Sequence, residues 1–171
     1  MDETIEAFIR IVGRLTADDV VMDIGANVGD YTAKFAASGA QVHAFEPEPR
    51  LFACLKDRFS DFSNVFLYQA AIAAQPGVLK LWLENQSDKN PLDMMSHSIV
   101  DGGELTENGK AIDVDCIDFF SFLEGLEKVP ALIKMDIEGA DVEILERLFK
   151  EERFDQVGPL YVETHERQIA K

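Results

Sequence analysis

Short apolar runs alternate with helical patterns along most of the chain. The runs with the length and residue types of buried strands are residues 20–24, 41–45, 64–72, 131–137 and 158–164. Between most of them, apolar residues recur at helical spacing, as in residues 51–59 and 142–149. Strands that alternate with amphipathic helices indicate parallel strands joined by right-handed crossovers. The pattern therefore predicts an α/β fold, a three-layer sandwich around a mostly parallel sheet.

Two regions lie outside this alternation. Residues 1–16 carry apolar side chains along one face and are predicted to form an N-terminal helix. In residues 74–115, an exposed type of strand ("QPGVLKLWLENQ") is followed by a polar segment, a short "AIDVD" and a helix-like "CIDFFSFLEGL". Residues 85–110 are predicted to form a long loop, which is either a lid over a site or a surface excursion. We expect residues 1–171 to form a single domain.

Composition and charge limit the possible partners. The chain has 171 residues, of which 47% are hydrophobic and 28% charged, as in an ordinary globular domain. Its net charge of −16 should repel phosphate groups, which argues against nucleic acid and anionic membranes as partners. The two cysteines are typical of buried thiols, the N-terminus is acidic, and no apolar run approaches the ~20 residues of a membrane span. We therefore expect a cytoplasmic protein. The oligomeric state is not indicated.

The segment "DIGANVGDY", residues 23–31, is the strongest candidate for a binding site. Asp23 ends the first predicted strand, and Gly25 and Gly29 follow it with Asn27 between them. In open α/β sheets, ligands bind beyond the carboxyl ends of the strands, where glycine lets the backbone approach them closely. An alternative is that the glycines only turn the chain and let the helix pack on the strand. The sequence leaves both interpretations open.

Neighbouring residues favour a nucleoside without phosphates. Glu46 ends the next predicted strand, where a carboxylate can accept the hydroxyls of a ribose. Asn27 stands where the dinucleotide fingerprint has its second glycine, so a bulkier side chain would press on a pyrophosphate. Asp23 requires a positive group or a hydroxyl beside it. S-adenosylmethionine, with its ribose, ammonium and sulfonium, fits these features better than a nicotinamide or flavin dinucleotide does.

Longer motifs carry a family resemblance. The segments "VVMDIGANVGDYTAKFAASGAQVHAFEPEP", "AIAAQPGVLKLW", "DVDCIDFF", "LIKMDIEGADVEIL" and "YVETHE" resemble the FkbM-type methyltransferases, in the same order and spacing. The resemblance extends from Val20 to His165, and "KMDIEGADVEIL" is its most specific part. It implies a class I methyltransferase (Rossmann-like) fold, S-adenosylmethionine as cofactor, and methyl transfer to a hydroxyl oxygen of a sugar or another small molecule.

The resemblance also implies roles for individual residues. Four residues would line the amino-acid and ribose side of the cofactor: Asp23, Gly25, Asn27 and Gly29. Glu46 would accept the ribose hydroxyls, and the strand end around Ala70 and Ala71 would lie near the adenine. The fold of this family continues into a final antiparallel pair of strands. Because this chain ends at Lys171, we expect either that those C-terminal strands are missing or that the edge of the sheet is completed in another way.

Methyl transfer to a hydroxyl requires a group that takes up the proton. The candidates at strand ends are Asp136, Glu138, Glu163 and His165, of which only a histidine has an unperturbed pKa near neutrality. We therefore predict His165 as the base, with Asp136 or Glu138 orienting the acceptor. Alternatively, the two carboxylates only stabilise the N-terminus of the next helix and His165 is a solvated side chain near the chain end.

A metal site is a less favoured alternative. Asp136, Glu138 and Glu163 could supply oxygen ligands for Mg²⁺ or Ca²⁺. No spacing of His and Cys residues supports zinc, and we predict no metal. Lys134, in the middle of a predicted strand, would be buried and needs an acidic partner, for which Asp136 and Glu163 are the candidates.

Taken together, the sequence predicts an S-adenosylmethionine-dependent methyltransferase that acts on a hydroxyl of a small-molecule or saccharide acceptor. A competing hypothesis is a non-catalytic module that binds adenosylmethionine without transferring its methyl group. An NAD-dependent oxidoreductase is a further alternative, which the glycine spacing disfavours.

Overall fold

The computed structural model describes residues 3–83, 97–98, 110–137 and 140–163. Its helices are α1 (Glu3–Val12), α2 (Asp30–Ala36), α3 (Pro49–Arg58), α4 (Phe119–Glu124) and α5 (Ala140–Lys150), with a 3₁₀ turn at Phe154–Gln156. Its strands are β1 (Val20–Ile24), β2 (Gln41–Phe45), β3 (Val65–Tyr68), β4 (Ala71–Ala73), β5 (Gly77–Leu83), β6 (His97–Ser98), β7 (Lys110–Asp118), β8 (Leu132–Met135) and β9 (Leu160–Val162).

A five-stranded parallel sheet forms the centre of the fold. Its strand order is β3-β2-β1-β8-β9, and every neighbouring pair runs parallel. All five residues of β1 are buried, as expected for the central strand of a parallel sheet. Because the strands are parallel, all five end at one side of the sheet, which we call the carboxyl edge. The predicted α/β fold with a mostly parallel sheet is confirmed.

Helices cover both faces of this sheet. On one face, Phe8 of α1 and Phe35 of α2 pack in a core cluster with β1 and β2, and Leu55 of α3 packs beside Ala44. On the other face, residues of α4 and α5 pack around Phe45. The three-layer arrangement predicted from the sequence is therefore present.

A second, four-stranded sheet was not indicated by the sequence pattern. Its order is β4-β7-β5-β6, in which β4 is parallel to β7 while β5 is antiparallel to β7 and to β6. The expectation of a single strand over residues 64–72 is wrong, because the chain leaves the first sheet after Tyr68 and Ala71 then pairs with Cys116 in the second sheet. The helix-like segment from Cys116 also begins as strand, and α4 starts only at Phe119.

The N-terminal helix predicted over residues 1–16 is present as Glu3–Val12. Within the predicted loop 85–110, residues 97–98 form β6 and Lys110 begins β7, and the remainder lies outside the described residues. No helix in the described part of the chain has the length and apolar character needed to cross a membrane.

Candidate active site

Residues 25–29, here called the glycine turn, connect β1 to α2. Gly25, Asn27 and Gly29 all have positive φ angles, of 78°, 53° and 88°. The amides of Gly25 and Ala26 both donate to the carbonyl oxygen of Phe45, at 3.0 and 2.9 Å. These hydrogen bonds attach the turn to the end of β2, so the turn lies at the carboxyl edge between the ends of β1 and β2.

Packing requires glycine at both ends of the turn. A Cβ atom on Gly25 would lie 2.0 Å from the backbone oxygen of Asp136, and one on Gly29 would lie 2.5 Å from the ring of Phe59. Both positions also have the left-handed backbone conformation that favours glycine. The interpretation that the glycines turn the chain and allow close packing therefore has direct support, whatever ligand the turn holds.

Asp23, at the end of β1, has its partners within the chain. The side chain is fully buried, and its Oδ2 accepts a hydrogen bond of 2.6 Å from the hydroxyl of Thr32. The Nζ atom of Lys134 lies 3.5 Å from its Oδ1. Burial raises the pKa of Asp23, and Lys134 and Thr32 oppose that rise. The positive group and the hydroxyl that Asp23 requires are thus supplied by β8 and α2, and a direct contact with the cofactor stays a prediction.

Lys134 lies beside Asp23 because β1 and β8 are parallel neighbours. Its ammonium donates to the carbonyl oxygen of Gly25 at 2.8 Å and lies 3.7 Å from Oδ2 of Asp136. Of the two acidic partners predicted for Lys134, Asp136 is therefore confirmed. Asp23 is the nearer partner, and the sequence did not indicate it because the pairing of β1 with β8 cannot be read from apolar runs.

Glu46 follows β2 and holds its carboxylate against backbone amides. Its Oε2 accepts from the amide of Asn27 at 2.8 Å, and its Oε1 accepts from the amide of Glu48 at 2.9 Å. Burial raises the pKa of Glu46 to about 7, and the two amides oppose part of that rise. Each carboxylate oxygen can accept more than one hydrogen bond, so Glu46 fits the predicted contact with ribose hydroxyls.

The other predicted residues occupy different parts of the carboxyl edge. Ala70 lies between β3 and β4 and Ala71 begins β4, and both are buried. Asp136 follows β8 with 34% of its side chain exposed, so it can contact an acceptor. Glu163 follows β9, and its amide donates to the carbonyl oxygen of Met135 at 3.0 Å. Asp136 and Glu163 therefore follow neighbouring strands.

Two predicted catalytic residues, Glu138 and His165, lie outside the described residues, so their roles stay predictions. Within the described residues, no group of three or more His, Cys, Asp or Glu side chains could hold a metal ion.

Sequence reasoning missed two residues, one that hydrogen-bonds to Asp23 and one that contacts the glycine turn. Thr32 binds Asp23, and its position in the first turn of α2 was the available signal. Arg58, at the end of α3, donates to the carbonyl oxygen of Val28 at 2.7 Å and to Asp30 at 2.8 Å. An arginine so far along the chain gives no local signal for this contact.

The parallel sheet, the glycine turn and the carboxylate at the end of β2 are features of the class I S-adenosylmethionine-dependent methyltransferases. Residues 23–170 match the model of the methyltransferase FkbM domain, and the chain belongs to that family. The family resemblance predicted from the sequence is therefore confirmed.

Similar proteins include enzymes with different acceptors. The 2-O-methyltransferase NoeI of Sinorhizobium fredii is 26% identical over 143 residues, which cover 75% of this chain and 56% of NoeI. The ribosomal RNA small subunit methyltransferase A of Thermotoga petrophila is 39% identical over 66 residues, or 39% of this chain and 25% of that protein. This chain thus spans between a quarter and just over half of the length of these relatives.

A solved structure of similar fold is an rRNA methylase from Streptococcus thermophilus. It has a TM-score of 0.53 and 14% sequence identity, and the match covers 99% of this chain and 76% of that one. At this identity the likeness shows the fold alone.

The exclusion of nucleic acid as a partner is wrong. It was argued from the net charge of −16, yet similar proteins include ribosomal RNA methyltransferases from two Thermotoga species. Net charge is a sum over the whole chain, whereas recognition depends on the local potential at the site. The sum therefore cannot exclude a class of acceptor.

Proposed function

We propose that this chain transfers the methyl group of S-adenosylmethionine to a hydroxyl oxygen of a small molecule or saccharide. The observation that carries the proposal is the buried carboxylate of Glu46, held by the amides of Asn27 and Glu48 beside the glycine turn. A carboxylate fixed in this way is suited to accept the two hydroxyls of a ribose. The similarity to the 2-O-methyltransferase NoeI favours oxygen as the methyl acceptor.

The chain's contribution to this reaction is binding, orientation and proton removal. The cofactor supplies an activated methyl group when bound. Holding two reactants in line is worth about 7–11 kcal/mol in favourable cases. In the proposal, Glu46 fixes the ribose, Asp136 or Glu138 orients the acceptor hydroxyl, and His165 takes up its proton. Such a base contributes roughly 100- to 10,000-fold to the rate.

Calorimetric titration tests the cofactor site. We expect wild type to bind adenosylmethionine and adenosylhomocysteine but not NAD. Glu46→Ala should weaken binding of the first two by about a hundredfold or more, because two charged hydrogen bonds are lost. Glu143→Ala removes the same charge from an exposed position on α5 and is the matched control, with wild-type affinity expected. Binding of NAD alone would instead favour the oxidoreductase hypothesis.

A transfer assay tests the acceptor class. Methyl-labelled adenosylmethionine is incubated with the protein and either an oligosaccharide panel or ribosomal RNA. We expect label on a saccharide or small-molecule hydroxyl. Label on RNA would contradict the proposed acceptor class while leaving the cofactor site intact. Cofactor binding without transfer to any acceptor would favour the non-catalytic module.

A further inference from the structure

Lys134 is the buried cation of the carboxyl edge. It lies inside β8 with 4% of the residue exposed, and its ammonium lies near three oxygen-bearing groups of the described residues and over the ring of Tyr31. Among the described residues, the carbonyl oxygen of Gly25 is the hydrogen-bond partner, at 2.8 Å, while the carboxylates of Asp23 and Asp136 lie at 3.5 and 3.7 Å. The shortest contact of this ammonium is therefore to the glycine turn rather than to a carboxylate.

This contact fixes one peptide unit from both sides. The carbonyl of Gly25 and the amide of Ala26 belong to the same planar peptide. The carbonyl accepts from Lys134 in β8, and the amide donates at 2.9 Å to the carbonyl oxygen of Phe45 in β2. The peptide that opens the turn is thus held between the strands on either side of β1.

The orientation of this peptide also affects the position of Glu46. The amide of Asn27, one peptide further along, donates to Oε2 of Glu46 at 2.8 Å. A rotation of the Gly25–Ala26 peptide would displace the Asn27 amide and release one of the two donors that hold the Glu46 carboxylate. Lys134 can therefore influence a side chain that it does not contact.

We propose that Lys134 is a positioning residue of the cofactor site, whose ammonium orients the glycine turn through the carbonyl of Gly25 and thereby keeps Glu46 in place. The nearby carboxylates of Asp23 and Asp136 offset its charge, which makes burial of the ammonium tolerable. The inference rests on the proposed function for its effect on cofactor binding, but its effect on the turn itself is independent of any ligand.

The substitution Lys134→Met keeps an unbranched apolar side chain, one atom shorter than lysine, and removes the donor. We expect the affinity for adenosylmethionine to fall about tenfold to a hundredfold, the range expected for losing a hydrogen bond from a charged donor. Without any ligand, the ¹³C resonance of the Gly25 carbonyl and the ¹⁵N resonances of Ala26 and Asn27 should shift in NMR spectra. Unchanged resonances and wild-type affinity would overturn the proposal.

Thr32→Val is the matched control. The hydroxyl that it removes is also a partner of Asp23, at 2.6 Å, but within the described residues it forms no hydrogen bond with the glycine turn. We expect it to lower stability while the Gly25 carbonyl resonance and the cofactor affinity stay close to wild type. A loss of affinity as large as that of Lys134→Met would mean that both variants act through Asp23, and would contradict the proposal.

The double variant Asp23→Asn/Lys134→Met separates charge balance from positioning. It removes both members of the buried ion pair, so it should fold even if Lys134→Met alone does not. We expect its turn resonances to stay shifted and its cofactor affinity to stay low. Recovery of wild-type resonances and affinity would show that Lys134 only offsets the charge of Asp23. If wild type itself binds no adenosylmethionine, the proposed function fails, and the turn resonances still test Lys134.

Discussion

The ends of β1 and β2 each carry a buried carboxylate, and the two are held by different means. Asp23 at the end of β1 is held by side chains, the hydroxyl of Thr32 and the ammonium of Lys134. Glu46 after β2 is held by backbone amides, and no cation in the described part of the chain hydrogen-bonds to it. The first carboxylate lies beside a cation of the fold, although its Oδ1 makes no hydrogen bond within the described residues, whereas the second lies against two amides and burial raises its pKa to about 7.

This difference indicates which of the two carboxylates is available to a ligand. A buried carboxylate beside its own cation contributes mainly to structure, because removing either partner leaves an uncompensated charge. A buried carboxylate held only by amides gains when a ligand donates further hydrogen bonds. We therefore expect Asp23 to govern stability and Glu46 to govern cofactor affinity.

The largest expected effect comes from breaking the first arrangement. Asp23→Ala leaves the ammonium of Lys134 with Asp136, which is partly exposed, as its remaining carboxylate. We expect the free energy of unfolding to fall by about 3–5 kcal/mol, as for other broken buried ion pairs. Urea denaturation measures this free energy. The control is Asp57→Ala, which removes a carboxylate from an exposed position on α3. A loss similar to that of the control would contradict the structural role of Asp23.

A somewhat smaller effect should come from changing the charge of Glu46 by pH. Its pKa is about 7 in the folded chain and ordinarily 4.5, so the folded state binds the proton more tightly than the unfolded state does. This contribution to stability is fully present below pH 4.5 and is lost as the pH rises through about 7. In total it amounts to about 3 kcal/mol of the free energy of unfolding.

Denaturation of wild type and Glu46→Gln over this pH range isolates that contribution, since other titrating groups are common to both. The stability of wild type relative to the variant should fall as the pH rises. A difference independent of pH would mean that Glu46 has an ordinary pKa, and the contrast between the two carboxylates would then be lost.

The smallest expected effect concerns Arg58, which contacts the same turn from outside. Like Lys134, it donates to a backbone carbonyl of the turn, that of Val28, but its side chain is 40% exposed and that of its partner Asp30 is 72% exposed. We expect Arg58→Ala to lower the free energy of unfolding by less than about 1 kcal/mol, and by less still at high salt. Thermal or urea denaturation measures this change. A larger decrease in the free energy of unfolding would show that solvent exposure does not determine how much the contacts of Arg58 and Lys134 with the turn contribute to stability.

The sequence predicted the elements whose signals are local. Residues 20–24 and 41–45 are β1 and β2 as predicted, because a buried parallel strand is a continuous apolar run. The carboxylates of Asp23, at the end of β1, and Glu46, just after β2, could also be identified, since strand ends in such folds converge on one edge.

Contacts between distant segments could not be predicted in this way. The break between β3 and β4 falls at Gln69 and Ala70, where neither glycine nor proline marks a turn. The pairing of Asp23 with Lys134 depends on β8 lying next to β1, and strand order leaves no trace in apolar periodicity. For the same reason the second sheet, in which β4 and β7 meet, was missed.

The position of Lys134 also has a consequence for the order in which the chain acquires its structure during synthesis. The ribosome releases β1, β2 and β3 well before β8, and β8 then inserts beside β1. Until that insertion, Asp23 has a hydroxyl but no cation, and closing α2 over it would bury an unpaired carboxylate. We therefore expect the nascent N-terminal half to remain open, accessible to proteases and chaperones, until Lys134 has emerged and completed the sheet.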